Sequence, residues 1–99
     1  MDLEIEYLYD SELDEFEAEN KGYRGGIIVR AHGITYQLFA ITMVRLQQDY
    51  ERAIETIGYY WLDRNTIIVT ETTKSQIADT IKWLYQGGCF EPGKMFLSE

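Results

Sequence analysis

The stretch TIIVTETTKSQIADTIKWLYQGG, residues 66–88, decides the fold. It begins with a β-branched run, Thr66-Ile67-Ile68-Val69-Thr70, which predicts a buried strand. Thr73 followed by Gln76 is the sequence signature of a capping box. From there Ile77, Ile81, Leu84 and Tyr85 recur at helical spacing with Ala78 beside them. Gly87 and Gly88 then stop the helix, because glycine takes the left-handed C′ conformation at little cost. A strand therefore feeds an amphipathic helix, and that helix needs a sheet on which to bury its stripe.

Working back from this unit, Leu46, Tyr50, Ala53, Ile54 and Ile57 predict a second helix of about three turns, closed by Gly58. No N-cap is evident before Gln47. Tyr59-Tyr60-Trp61-Leu62 reads as a strand that pairs with Thr66–Thr70 through an Asp63-Arg64-Asn65 turn. Upstream, Tyr23 to Ala31 and Ile34 to about Val44 read as a strand hairpin around His32-Gly33. Gly25-Gly26 marks a bulge or a close backbone approach. Residues 3–9 form an opening strand, with Leu3, Ile5 and Tyr7 inward and Glu4 and Glu6 outward.

Asp10 to Gly22 is a polar loop or a short frayed helix, with Leu13 and Phe16 spaced to pin one turn to the core. At the other end, Met95-Phe96-Leu97 is placed to dock back. The 99 residues make a single α+β domain in the order β-β-β-α-β-β-α. Its sheet is mostly antiparallel, of four to five strands, with two helices on one face.

The charge is uneven. Residues 1–20 hold nine acids and no Lys or Arg, while residues 21–99 hold eight acids and nine bases, giving the overall −8. Direct nucleic-acid binding usually needs a basic face and is not expected. A basic protein partner is favoured, since an acidic surface steers cationic ones towards it. No apolar run is long enough to span a membrane, and the acidic start does not resemble a signal peptide. The lone Cys89 excludes an internal disulfide, so the simplest location is the cytoplasm.

The candidate binding surface is the acidic segment, with Asp10, Glu12, Asp14, Glu15, Glu17 and Glu19. Carboxylates in such density imitate a run of phosphates and can occupy a site built for nucleic acid. A solvated loop that serves solubility is the plain reading of the same residues. Phe16, Tyr60 and Trp83 are candidate anchors, because aromatic side chains are enriched at protein interfaces.

Enzymatic and metal chemistry find little support. Asp10, Glu12 and Asp14 have the first spacings of a calcium-binding loop, but Glu15 stands where the glycine is needed and Lys21 where the bidentate Glu is needed. A nucleophilic Cys89–His32 pair would set a turn histidine against a thiol at a helix C-terminus, where the dipole disfavours thiolate. One His and one Cys cannot build a structural zinc site without carboxylates. Neither Gly-Gly pair has the pattern of a phosphate loop. The expectation is a protein that is not an enzyme and carries no cofactor or metal.

The opening L-x-I-x-Y strand, the hairpin at a Gly turn, N-T-I-I-V-T-E at residues 65–71 and S-Q-I-A-D-T-I at residues 75–81 resemble bacterial immunity proteins of polymorphic or contact-dependent toxin systems, most closely the immunity protein 8 group. The resemblance implies a cytoplasmic antitoxin that binds its cognate toxin, often a nuclease, and covers its active site. It brings no catalytic residues with it. The alternative, from a different class, is a structural or regulatory module that self-associates or binds a cellular partner through a sheet edge.

Overall fold

The computed structural model describes residues 2–99. The chain runs β1 (Leu3–Tyr7), α1 (Glu12–Lys21), β2 (Tyr23–Ala31), β3 (Ile34–Ile41), α2 (Met43–Ile57), β4 (Thr66–Ile68) and α3 (Lys74–Gln86). The four strands form one sheet in the order β1-β2-β3-β4. Both β1–β2 and β2–β3 are antiparallel, whereas β4 runs parallel to β3. This is an α+β domain with a mixed, mostly antiparallel sheet and three helices.

Register explains the core. Leu3, Ile5 and Tyr7 stand opposite Ala31, Val29 and Ile27. Those in turn stand opposite Ile34, Tyr36 and Leu38. Period-two alternation puts this whole set on one face, where Ile77 and Ile81 of α3 are fully buried against it. The tail closes the same core: Phe96 stacks on Phe90 at 4.8 Å, and Phe90 meets the Tyr36 ring edge-on at 5.4 Å. Tyr36 also donates its hydroxyl to the Phe90 carbonyl at 3.0 Å. The docking of residues 95–97 thus rests on Phe96, while Met95 and Leu97 stay exposed.

Two local readings need correction, and two gain detail. Residues 59–62 form no strand. The Asp63 carboxylate accepts from the Asn65 N–H, and Asn65 then leads straight into β4 beside β3. Asn65 is the bracket: its amide donates to the Gln37 and Leu97 carbonyls, and its oxygen accepts from the Leu97 N–H. The long strand read to Val44 ends at Ile41, because Thr42 caps α2 by accepting from the Arg45 N–H. The polar stretch after Asp10 is a ten-residue helix, α1, closed by a full capping box between Ser11 and Asp14. At the end of α3 the left-handed residue is Gly88, at φ 80°, and not Gly87.

Helix α2 joins the parallel strands β3 and β4, and none of its residues enters the core that buries Ile77 and Ile81 of α3. Its Asp49 lines a cleft with Tyr60, Tyr23 and Phe39. The Gly25-Gly26 reading holds: the β2–β3 register shifts between Arg24 and Ile27. Gly26 sits at φ 66° under the Tyr9 ring, where an added Cβ would come within 2.9 Å.

Candidate functional site: the acidic helix and its borders

The acidic segment divides into two sets of side chains. The inward set is neutralised by the protein itself. Arg24, buried on β2, donates to Glu15 Oε1 at 2.6 Å and to the Tyr9 carbonyl at 3.2 Å. Its guanidinium also lies 4.8 Å from the centre of the Tyr7 ring, where an aromatic face attracts a cation. Lys74, the first residue of α3, pairs with Asp10 and reaches Glu15 at 3.5 Å. Asp14 accepts from the Ser11 N–H at 3.1 Å. That bond, and the one with the Ser11 hydroxyl, hold its carboxyl below the usual Asp value. Burial of the Tyr7 hydroxyl pushes its pKa up, an effect that Arg24 opposes and Glu15 reinforces. Asp10 and Glu15 therefore tie α1 to β2 and α3, while Asp14 caps the start of α1.

The outward set is different. Ala18 is the only α1 residue that is buried, and its carbonyl accepts the Thr72 hydroxyl at 2.7 Å. With Ala18 turned inward, Leu13 and Phe16 point to solvent at 64% and 65% exposure. This overturns the expectation that the two pin a turn to the core: one helical turn is anchored by its small residue and its carboxylates. Glu12, Glu17 and Glu19 are exposed on the same helix. Among the described residues Glu17 has a cation near it, Lys21 at 3.7 Å, and Glu12 and Glu19 have none; exposed pairs of this kind contribute little. The result is two bare apolar side chains among three carboxylates.

The two aromatic candidates separate. Tyr60 is half-buried, edge-on to Tyr50 of α2 at 6.3 Å. It lines the cleft with Tyr23 and Phe39. Tyr23 lines a second cleft too, with Tyr9, Asp14, Glu17 and Lys21, so the Tyr60 region borders the acidic helix. Trp83 is exposed on the outer side of α3. It lies nine residues beyond Lys74, about 14 Å along the helix axis, and the fold does not bring it to α1.

Tyr9 and Leu13, both exposed beside the carboxylates, are the residues that sequence reasoning missed. The signal was present: Ser11-x-x-Asp14 is a capping signature, and a helix that starts there with Ala18 inward must turn Leu13 and Phe16 out.

His32 and Cys89 serve the hairpin and the core rim. His32 stacks on Tyr85 at 5.3 Å between ring centres, and Cys89 is half-buried against the core. Among the described residues no three His, Cys, Asp or Glu side chains converge to hold a metal ion. No helix of the described residues is long and apolar enough to cross a membrane. The outer β1 edge carries Glu4 and Glu6, both drawn to Arg30 on β2, at 4.0 and 2.8 Å. Compared with protein-family models, curated proteins and solved structures, the chain matches none.

Proposed function

We propose that the chain is a non-catalytic inhibitor that binds a basic protein through the outward face of α1, in the manner of an immunity protein neutralising a toxin. The observation that carries the reading is the bare Leu13–Phe16 pair set among Glu12, Glu17 and Glu19. Exposed apolar side chains ringed by one sign of charge suit a partner of the opposite sign. The charges speed encounter and set orientation, and the apolar pair supplies the desolvated anchor. A nuclease fits this chemistry, because its substrate site is cationic. Asp10 and Glu15 are already paired with Lys74 and Arg24 within the chain, which supports a contact made by the outward carboxylates. Tyr9 and Tyr23 supply aromatic area at its border.

The test is capture of a partner from the native host at low salt, followed by assay of that partner. The reading expects one basic protein at stoichiometric yield whose enzymatic activity falls as the chain is added. Capture of an acidic protein, or of a basic enzyme left fully active, would overturn it.

A further inference from the structure

Helix α2 is the unexplained part of the fold. Its fifteen residues include none that is buried. An isolated helix of that length is marginal in water, and helices in proteins owe most of their stability to a packed apolar face. Such a face exists. Met43, Leu46, Tyr50, Ala53 and Ile57 follow one another at alternating steps of three and four, with Ile54 alongside. This is the seam spacing of a helix that packs along another helix. The chain itself holds α2 by its polar flank: Arg45 donates to the Lys21 carbonyl at 3.1 Å and to Asp49 at 2.9 Å. The seam is only partly covered: Leu46 and Ala53 are half-buried and Tyr50 meets Tyr60 of its own chain edge-on, while Met43, Tyr50 and Ile57 each stay more than half exposed. The molecule is correspondingly extended. Its radius of gyration is 14.1 Å, against about 12.6 Å expected for a domain of this length.

We propose that α2 is the contact helix of a two-fold homodimer, packed antiparallel on the α2 of a second copy. This goes beyond the proposed inhibition and does not depend on it. Charge favours a second copy over a basic partner. Residues 43–62 hold three acids and two bases, whereas the first twenty residues hold nine acids and no base. A basic protein is drawn to α1, and two copies of a chain with net charge −8 meet with least repulsion at α2.

The seam is also self-complementary. In one antiparallel register Tyr50 faces the partner's Ala53 and Leu46 faces the partner's Ile57, a large side chain against a small one at the centre and two branched ones outside. The flanks carry no like-charge pair: Gln47 faces the partner's Ile54, and Asp49, already held by Arg45, faces the partner's Thr56. The register repeats itself under the two-fold, as an isologous interface requires. Past the Gly58 stop the chain leaves the helix, and Tyr59 and Trp61 stand exposed just beyond the end of the seam. Trp61 is 82% exposed. Aromatics of this kind bring about 150–250 Å² each, towards the roughly 800 Å² per subunit of a standard interface.

The test is the solution mass of the full chain, by sedimentation equilibrium from low to high micromolar concentration. Twice the 11.6 kDa chain mass is expected. Ile54→Lys with Ile57→Lys should give monomer, with an unchanged circular-dichroism spectrum, since neither residue is buried. A second pair of variants fixes the register. Gln47→Lys with Ile54→Lys in one chain, and Gln47→Glu with Ile54→Glu in another, should each be monomeric alone and dimeric when mixed. A monomeric wild type at every concentration would overturn the proposal, as would a dimer indifferent to the Lys pair. Mixed chains that stay apart would overturn the antiparallel register. A monomer whose Lys pair abolishes capture of a basic protein would assign the seam to that protein instead.

Discussion

Arg24 holds Glu15 across 2.6 Å with its own side chain only 3% exposed. This pair marks off the carboxylates that meet a cation of the chain itself from those that stay exposed on α1. It ties α1 to β2 from beneath, and Lys74 adds a second tie from α3. Replacing Glu15 with Gln removes the charge that offsets a buried guanidinium, and the unfolding free energy should fall by about 3 kcal/mol. Asp10→Asn touches only the half-exposed Lys74 pair and should cost less than about 1 kcal/mol. Urea unfolding of the two variants checks the contrast. Equal losses would mean that Arg24 is not the anchor of α1.

The capping box at the start of α1 makes a pH prediction. The Asp14 carboxyl titrates below 3.8, its ordinary value, through its hydrogen bonds with Ser11. A depressed carboxylate contributes stability that is fully present above the unfolded value and is lost as pH falls through the folded one. The stability gap between wild type and Asp14→Asn should therefore be full well above pH 3.8 and should shrink as the pH falls below it. Denaturant midpoints across that range measure it. A gap that stays constant with pH would show that the carboxylate is not capping the helix in its charged form.

Asn65 joins β3, β4 and the tail through three side-chain hydrogen bonds. Asn65→Ala leaves the Leu97 N–H and C=O and the Gln37 carbonyl without this partner. Part-buried groups that lose their partner in this way make the substitution worth about 1–2 kcal/mol. Amide exchange at Leu97 should quicken with it, because its N–H donates to the Asn65 oxygen at 2.8 Å. A protected Leu97 amide in the variant would place the docking energy in Phe96 alone.

The parts of the fold set by simple periodicity were legible in the residues. The inward set Leu3, Ile5 and Tyr7, the hairpin at His32-Gly33, the bulge at Gly25-Gly26 and the buried stripe of α3 all follow from alternation, helical spacing or glycine conformation. The partner of β4 was not legible, because a β-branched run pairs with any compatible neighbour. The choice of β3 is made by Asn65, a single polar residue whose side-chain hydrogen bonds all reach at least 28 positions away. The α2 start was hidden because Met43 and Val44 continue the apolar run of β3 across the Thr42 cap. Within the acidic segment, sequence showed the density of charge. It did not show which carboxylates would meet Arg24 and Lys74, since that pairing needs β2 and α3 folded against α1.

The central claim is that α1 binds through its outward face. The measurement that tests it most directly is capture from the native host by wild type and by Leu13→Ser with Phe16→Ser, side by side at low and moderate salt. The two substituted side chains are more than half exposed, so the fold should be kept within about 0.5 kcal/mol. The account predicts that wild type retains one basic protein, less firmly as salt rises, and that the variant loses it by at least about tenfold, the effect of removing an anchor worth about 1.4 kcal/mol or more. Equal retention by the two chains, or no basic protein held by wild type at low salt, would contradict it.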